Sequence, residues 1–149
     1  MAKKLCCAID FSESSRVAMQ EAAELARRFD AALELVHVHP PPPHGDISFT
    51  PPPDFVDEAH AELEREMATW QEEAERVTGR AVNATVIPGS AADDILRFTR
   101  ERGHDLVVVG THGRKGVQRL LLGSVAERVA REAPCSVLVV RERTATSER

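Results

Sequence analysis

Five short runs rich in Val, Leu, Ile and Ala alternate with four segments of helical periodicity, and this alternation limits the fold more than any other feature. The runs are "KKLCCAID", "AALELVHVH", "RAVNATVI", "HDLVVVG" and "CSVLVVR". The second and fourth show little apolar–polar alternation, so both faces of those strands are expected to be covered. A chain that alternates strand and helix in this way makes a parallel sheet through right-handed crossovers, with helices on both faces. The expected class is α/β, five-stranded and Rossmann-like.

The helical segments carry their own start and stop signals. In "FSESSRVAMQEAAELARRFD", Ser12 or Ser14 is placed to cap the first helix, and Ala18, Ala22, Leu25, Ala26 and Phe29 recur at helical spacing. From Asp54 to Thr78, residues Val56, Ala59, Leu63, Met67, Trp70, Ala74 and Val77 form one apolar stripe, while Glu58, Glu62, Glu66 and Glu73 sit on a solvated face. Trp70 belongs to core packing. Ser90 with Asp93, and Ser124 with Glu127, have capping-box spacing. Ile95, Phe98 and Thr99 continue a buried face, Gly103 stops that helix, and Pro134 closes the last one. Val125, Val129 and Ala133 form the last helix's apolar side.

A chain of 149 residues is expected to form one domain, residues 1–149, with a polar tail at 142–149. Seven prolines fall within residues 40–54, so the stretch from 39 to 54 is expected to be a surface loop; proline supplies no N–H and fixes φ. Net charge is -5 and aromatic residues are 4%, which argues against nucleic acid as a partner. No run approaches the ~20 apolar residues of a membrane span, and the apolar stretch after Lys4 is broken at Asp10. The expected compartment is the cytosol. Cys6, Cys7 and Cys135 lack metal-ligand spacing and are expected to be reduced, buried thiols.

Against this acidic background, Arg114, Lys115 and Arg119 lie between Gly113 and Gly123 with no acidic residue among them. Ligands of such sheets bind beyond the C-terminal strand ends, where strand order reverses. Asp10 stands at the end of the first strand and Gly110 at the end of the fourth. With order 3-2-1-4-5 these strands are neighbours, and the basic loop lines the crevice between them. Gly123-Ser124 begins a helix, whose free N–H groups favour an anion. The Ser124 hydroxyl can donate to a phosphate oxygen. A polyphosphate accounts for glycines and cations together. Neither a Walker A motif nor the dinucleotide fingerprint occurs.

Gly110-x2-Gly113-x9-Gly123-Ser124 resembles the ATP-binding motif of the universal stress protein family. "AIDFSESS", "LVHV", "DLVVVGTHGRKG" and "LLGSVAERVAREAPCSVLVV" resemble that family in order, from Lys3 to Arg141. The resemblance implies sheet order 3-2-1-4-5, an adenine nucleotide alpha hydrolase-like fold, a homodimer and ATP in the crevice. It places Ala8, Asp10 and Val38 around the adenosine, with Asp10 on the ribose or adenine side and Val38 meeting adenine through its backbone. Gly110, Thr111, His112, Gly113 and Arg114 would line the ribose and phosphates. Gly123, Ser124 and Val125 would hold the phosphates. The proline-rich insert departs from the family pattern and bears on access to the adenine pocket. Strand five is a sheet edge, and Val137, Leu138, Val139 and Val140 are the expected dimer contact.

Three functions fit these residues. One is a nucleotide-dependent stress-response regulator. Another is a slow ATPase or phosphotransferase, with Arg114 and Lys115 supplying charge, Asp10 holding magnesium with the nucleotide, and His112 as base. The third is a dimeric interaction protein without nucleotide. No compact catalytic constellation stands out, which favours the first.

Overall fold

The computed structural model describes residues 2–41, 52–112 and 122–143. Strands are β1 (Lys4–Ala8), β2 (Ala32–His39), β3 (Asn83–Pro88), β4 (Leu106–Gly110) and β5 (Ser136–Val140). Between them run α1 (Glu13–Phe29), α2 (Pro53–Thr78), α3 (Ala91–Arg102) and α4 (Ser124–Glu132). All pairings are parallel, in the order β3-β2-β1-β4-β5. The expected architecture is therefore found, with each strand one to three residues shorter at its start than the apolar run that announced it. The proline-rich connection is also shorter than expected, since His39 ends β2 and Pro53 starts α2. Residues 42–51 of that connection and 144–149 of the tail lie outside the described residues.

Successive strand residues point to opposite faces, so each strand feeds two cores. On one face Leu5, Cys7, Leu33, Leu35 and Val108 pack with Met19 and Ala22 of α1 and Trp70 of α2. On the other, Cys6, Val36, Val38, Val107 and Val109 pack with Ile95 and Phe98 of α3 and Val129 of α4. Cys6 and Cys7 thus separate into different cores. Burial pushes both thiols well above the ordinary range, which keeps them protonated and unreactive. Cys135 is free and half-buried.

The helix starts refine the capping assignments. Ser12 caps α1 by accepting from the Ser15 N–H; Ser14 is buried instead. Ser90 is the N-cap of α3, but its hydroxyl makes no capping bond. The Asp94 carboxylate, not Asp93, reaches back to accept from the Ser90 N–H at 2.7 Å. At α4 the cap is Gly123; Ser124 is already inside the first turn and no side chain caps the end. Glu127 faces Arg131 instead. At α3 a neighbouring residue, Asp94, took the role expected of Asp93; at α4 the expected capping box does not form.

The α2 stripe is buried only in its second half, at Met67, Trp70, Ala74 and Thr78. Ala59 is exposed, Val56 and Leu63 are half-buried, and Phe55 is 65% exposed. The helix outruns the sheet that its C-terminal half covers. Glu73 leaves the solvated face, because it pairs with Arg16, whose guanidinium lies 4.3 Å over the Trp70 ring. Phe29, expected inside, is 40% exposed at the end of α1.

Glu34, His37 and His104 are buried polar residues that were not anticipated. Glu34, on β2, meets Lys4 Nζ at 3.1 Å and Arg102 at 3.5 Å. His104 Nε2 lies 3.3 Å from the same carboxylate, but neither of its ring nitrogens has an aligned hydrogen bond. Burial lowers the pKa of His104, against the opposing pull of Glu34. Burial also lowers that of His37, against its bond to the Ile9 carbonyl. Both rings are favoured neutral in the fold. Above the unfolded value of about 6.5 their contribution is fully present; as pH falls from there through the lower folded values, the unfolded chain binds protons that the folded chain refuses. The urea midpoint is expected to fall between pH 7.5 and pH 5.5, and His104→Gln should flatten part of that slope. Identical slopes in both proteins would remove His104 from the account.

Candidate functional site

β1 and β4 are central neighbours, and their connections leave to opposite faces of the sheet. A cleft of about 130 Å³ opens at their C-terminal ends, as the switch-point rule requires. Its floor is Ala8, Ile9 and Val109, and its sides include Asp10, Val38, Gly110, His112, Gly123, Ser124 and Val125. Eight residues named from the sequence therefore meet in one place. Thr111 is buried beside them, where its carbonyl accepts from the Gly123 N–H at 2.7 Å. Gly113 and Arg114, with Lys115 and Arg119, lie outside the described residues.

The turn from β1 into α1 fixes Asp10. Its Oδ1 accepts from the Ser12 N–H at 2.9 Å and from the Ser12 hydroxyl, and its own N–H donates to Ser15 Oγ at 3.3 Å. Oδ2 makes no hydrogen bond among the described residues and is free to accept one. Phe11, the next residue, sits at φ 63. A bulky residue in that region costs on the order of 1–3 kcal/mol. The ring is held between His37, with centroids 4.5 Å apart, and Trp70, at 5.5 Å. Packing of Phe11 thus forces the turn that presents Asp10.

Across the cleft, α4 presents its uncapped start. The first helical bond runs from the Glu127 N–H to the Gly123 carbonyl. The N–H groups of Ser124, Val125 and Ala126 precede it and have no intrahelical acceptor. Beside them His112 donates its N–H to Ser14 Oγ at 3.3 Å, and its Nδ1 lies 3.1 Å from the Thr111 hydroxyl. Its Nε2 is buried and has no hydrogen-bond partner among the described residues. One wall therefore offers donors without acceptors, and the opposite wall a carboxylate oxygen without a donor. Such an arrangement suits a ligand with an anionic end and a hydroxyl-bearing middle.

A family model described as "Universal stress protein family" matches residues 1–141. The chain belongs to this family. The universal stress protein YxiE of Bacillus subtilis is 34% identical over 148 residues, covering 95% of this chain and all of that protein. Among solved structures, the universal stress protein UspA of Lactobacillus plantarum has a TM-score of 0.78 at 23% identity, covering 93% of this chain and 97% of that one. The universal stress protein of Archaeoglobus fulgidus in complex with dAMP has a TM-score of 0.67 at 21% identity, covering 92% and 96%.

In this universal stress protein the site also includes residues that sequence reasoning passed over. Ser15 joins through the Asp10 N–H, and Ala91 and Ile95 line the cleft from the start of α3. The signal for them was positional: a helix that follows a parallel strand begins at the strand's C-terminal end, beside the ligand. Ile95 was read as core, which it also is.

Gly110 has a second duty. A Cβ there would stand 2.8 Å from the backbone C and O of Ser14. The glycine lets the first turn of α1 pack against the end of β4, besides lining the cleft. Gly110→Ala is expected to lower unfolding stability by about 1–3 kcal/mol through forced displacement of α1, measured by urea denaturation without ligand. An unchanged midpoint would mean the approach is not tight.

Proposed function

We propose that this universal stress protein is an adenine-nucleotide-dependent regulator, with ATP and its accompanying magnesium in the cleft between β1 and β4. The carrying observation is the pairing of unfilled donors with an unfilled acceptor across one gap. The α4 start and His112 Nε2 face the phosphate end, and Asp10 Oδ2 accepts from a ribose hydroxyl or the adenine amine. Val38 and Ile95 supply the apolar surface for the base. The dAMP held by the Archaeoglobus fulgidus relative supports an adenine nucleotide. Arg114, Lys115 and Arg119 fall in the sequence between two site residues, His112 and Gly123, and their charge supports more than one phosphate. The free thiols Cys6 and Cys7 agree with a reducing, cytoplasmic setting.

The assembly in this reading is a homodimer through β5. Within one chain Leu138 and Val140 pack into one core while Val137 and Val139 pack into the other. The side chains named for the contact already serve the fold, so the pairing would use the backbone edge of β5. Charging Val139 would therefore test the fold rather than the dimer. Light scattering is expected to return twice the 16.4 kDa chain mass; a monomer mass at micromolar concentration would remove the dimer.

Gly123→Asp separates ligand binding from folding. Gly123 caps α4 at φ -57 and ψ 153, which any residue can adopt. Asp is a better N-cap than Gly by only a few tenths of a kcal/mol, so the helix start should not be weakened. The same carboxylate occupies the phosphate's donors and repels it. ATP affinity by calorimetry is expected to fall at least tenfold while the melting temperature holds or rises. Equal affinity in variant and parent would place the anion elsewhere. The nucleotide released when fresh protein is denatured identifies the occupant, and phosphate release under excess ATP tests for turnover.

A further inference from the structure

β2 and α2 meet at a row of imidazoles. His39 Nε2 lies 3.1 Å from His60 Nδ1, and His60 Nε2 lies 3.1 Å from Glu64 Oε1. At the other end, His39 Nδ1 faces the Pro40 carbonyl oxygen at the longer distance of 3.4 Å. Both ends of the row are acceptors, so proton counting fixes its states. Glu64 takes the N–H of His60 Nε2, which leaves His60 Nδ1 to accept from His39 Nε2–H. Two neutral rings complete that much of the row. One added proton, on His39 Nδ1, also serves the Pro40 carbonyl. A second added proton has only His60 Nδ1 to go to, and there N–H would face N–H between two imidazolium rings.

The bond at risk holds an otherwise lightly anchored segment. The first buried residue of α2 is Met67. Among the described residues, His39–His60 is the one side-chain hydrogen bond from residues 53–66 to the sheet. Carboxylates lie around the row. From α2 these are Glu64 and Asp57 near His60, with Glu66 toward His37; from the β1–α1 turn, Asp10 also faces His37. His37, on β2, stacks on His39 with centroids 6.3 Å apart. The neighbouring β3 residues, Ile87 and Pro88, carry no charge.

We infer that His39 and His60 form a proton-operated latch, closed with none or one added proton and opened by the second, which frees the N-terminal half of α2 from the sheet in acid. Imidazoles titrate between pH 5 and 8, and the second proton on an interacting pair arrives last. The inference is independent of any nucleotide. Amide hydrogen exchange on the full chain, corrected for the intrinsic effect of pH, tests it. Between pH 7.5 and pH 5, protection of residues 53–66 should fall at least tenfold more than that of residues 67–78. His39→Gln should abolish the difference, because its amide can donate to His60 Nδ1 or accept from it. An equal fall in both halves of α2, no fall, or the same fall in His39→Gln would each overturn the latch.

Discussion

The bond from the Gly123 N–H to the Thr111 carbonyl sets the geometry of the site. It pins the start of α4 to the end of β4. The free donors of α4 then face the gap between β1 and β4. Without that pin, a glycine cap at α4 would only be a weak start to a short helix. With it, the same end is a fixed set of N–H groups that need no reorganisation when an anion arrives. The missing side-chain cap is consistent with this: a Ser or Asp oxygen there would spend a donor that a ligand can use.

The opposite wall is built at a cost in local stability. Phe11 occupies a backbone region that disfavours it, and Gly110 gives up a side chain so that Ser14 can approach. Phe11 lies in the turn that presents Asp10, and Gly110 admits Ser14, whose hydroxyl accepts from the His112 N–H. The surrounding core carries them. Trp70 and His37 hold Phe11, and β1 lies between two partners in the sheet, β2 and β4. Strain concentrated at the mouth of a rigid sheet is a common way to fix functional groups.

The parts of this structure legible in the sequence were those written as patterns over many residues. The apolar runs announced five strands, strand order set Asp10 beside Gly110, and the family resemblance added Val38 and His112; all of them meet Gly123 in one cleft. Choices made by a single side chain were not legible. Asp93 and Asp94 are equally plausible partners for Ser90 until the turn is built, and only one reaches its N–H. The apolar stripe of α2 told which face turns inward, but not that full burial begins only at Met67. Glu34, His37 and His104 lay within or next to apolar runs, and their burial depends on partners that distant segments supply. Such pairings carry no local period.

β2 joins the two functional features without merging them. Its residues alternate, so Val38 faces the cleft beside α3 while His37 and His39 face α1 and α2. A proton gained at His39 therefore meets α2 directly and the cleft only through the strand. A short side-chain link is the His37 bond to the Ile9 carbonyl at 2.6 Å, because Ile9 precedes Asp10 in the cleft wall. Burial keeps His37 neutral and its Nδ1–H in place, so that link holds while His39 and His60 change charge. The geometry consequently permits α2 to respond to acid with the cleft between β1 and β4 unaltered. A parallel strand buried on both faces can carry two such features because its backbone is clamped on each side by hydrogen bonds, leaving each face to its own side chains.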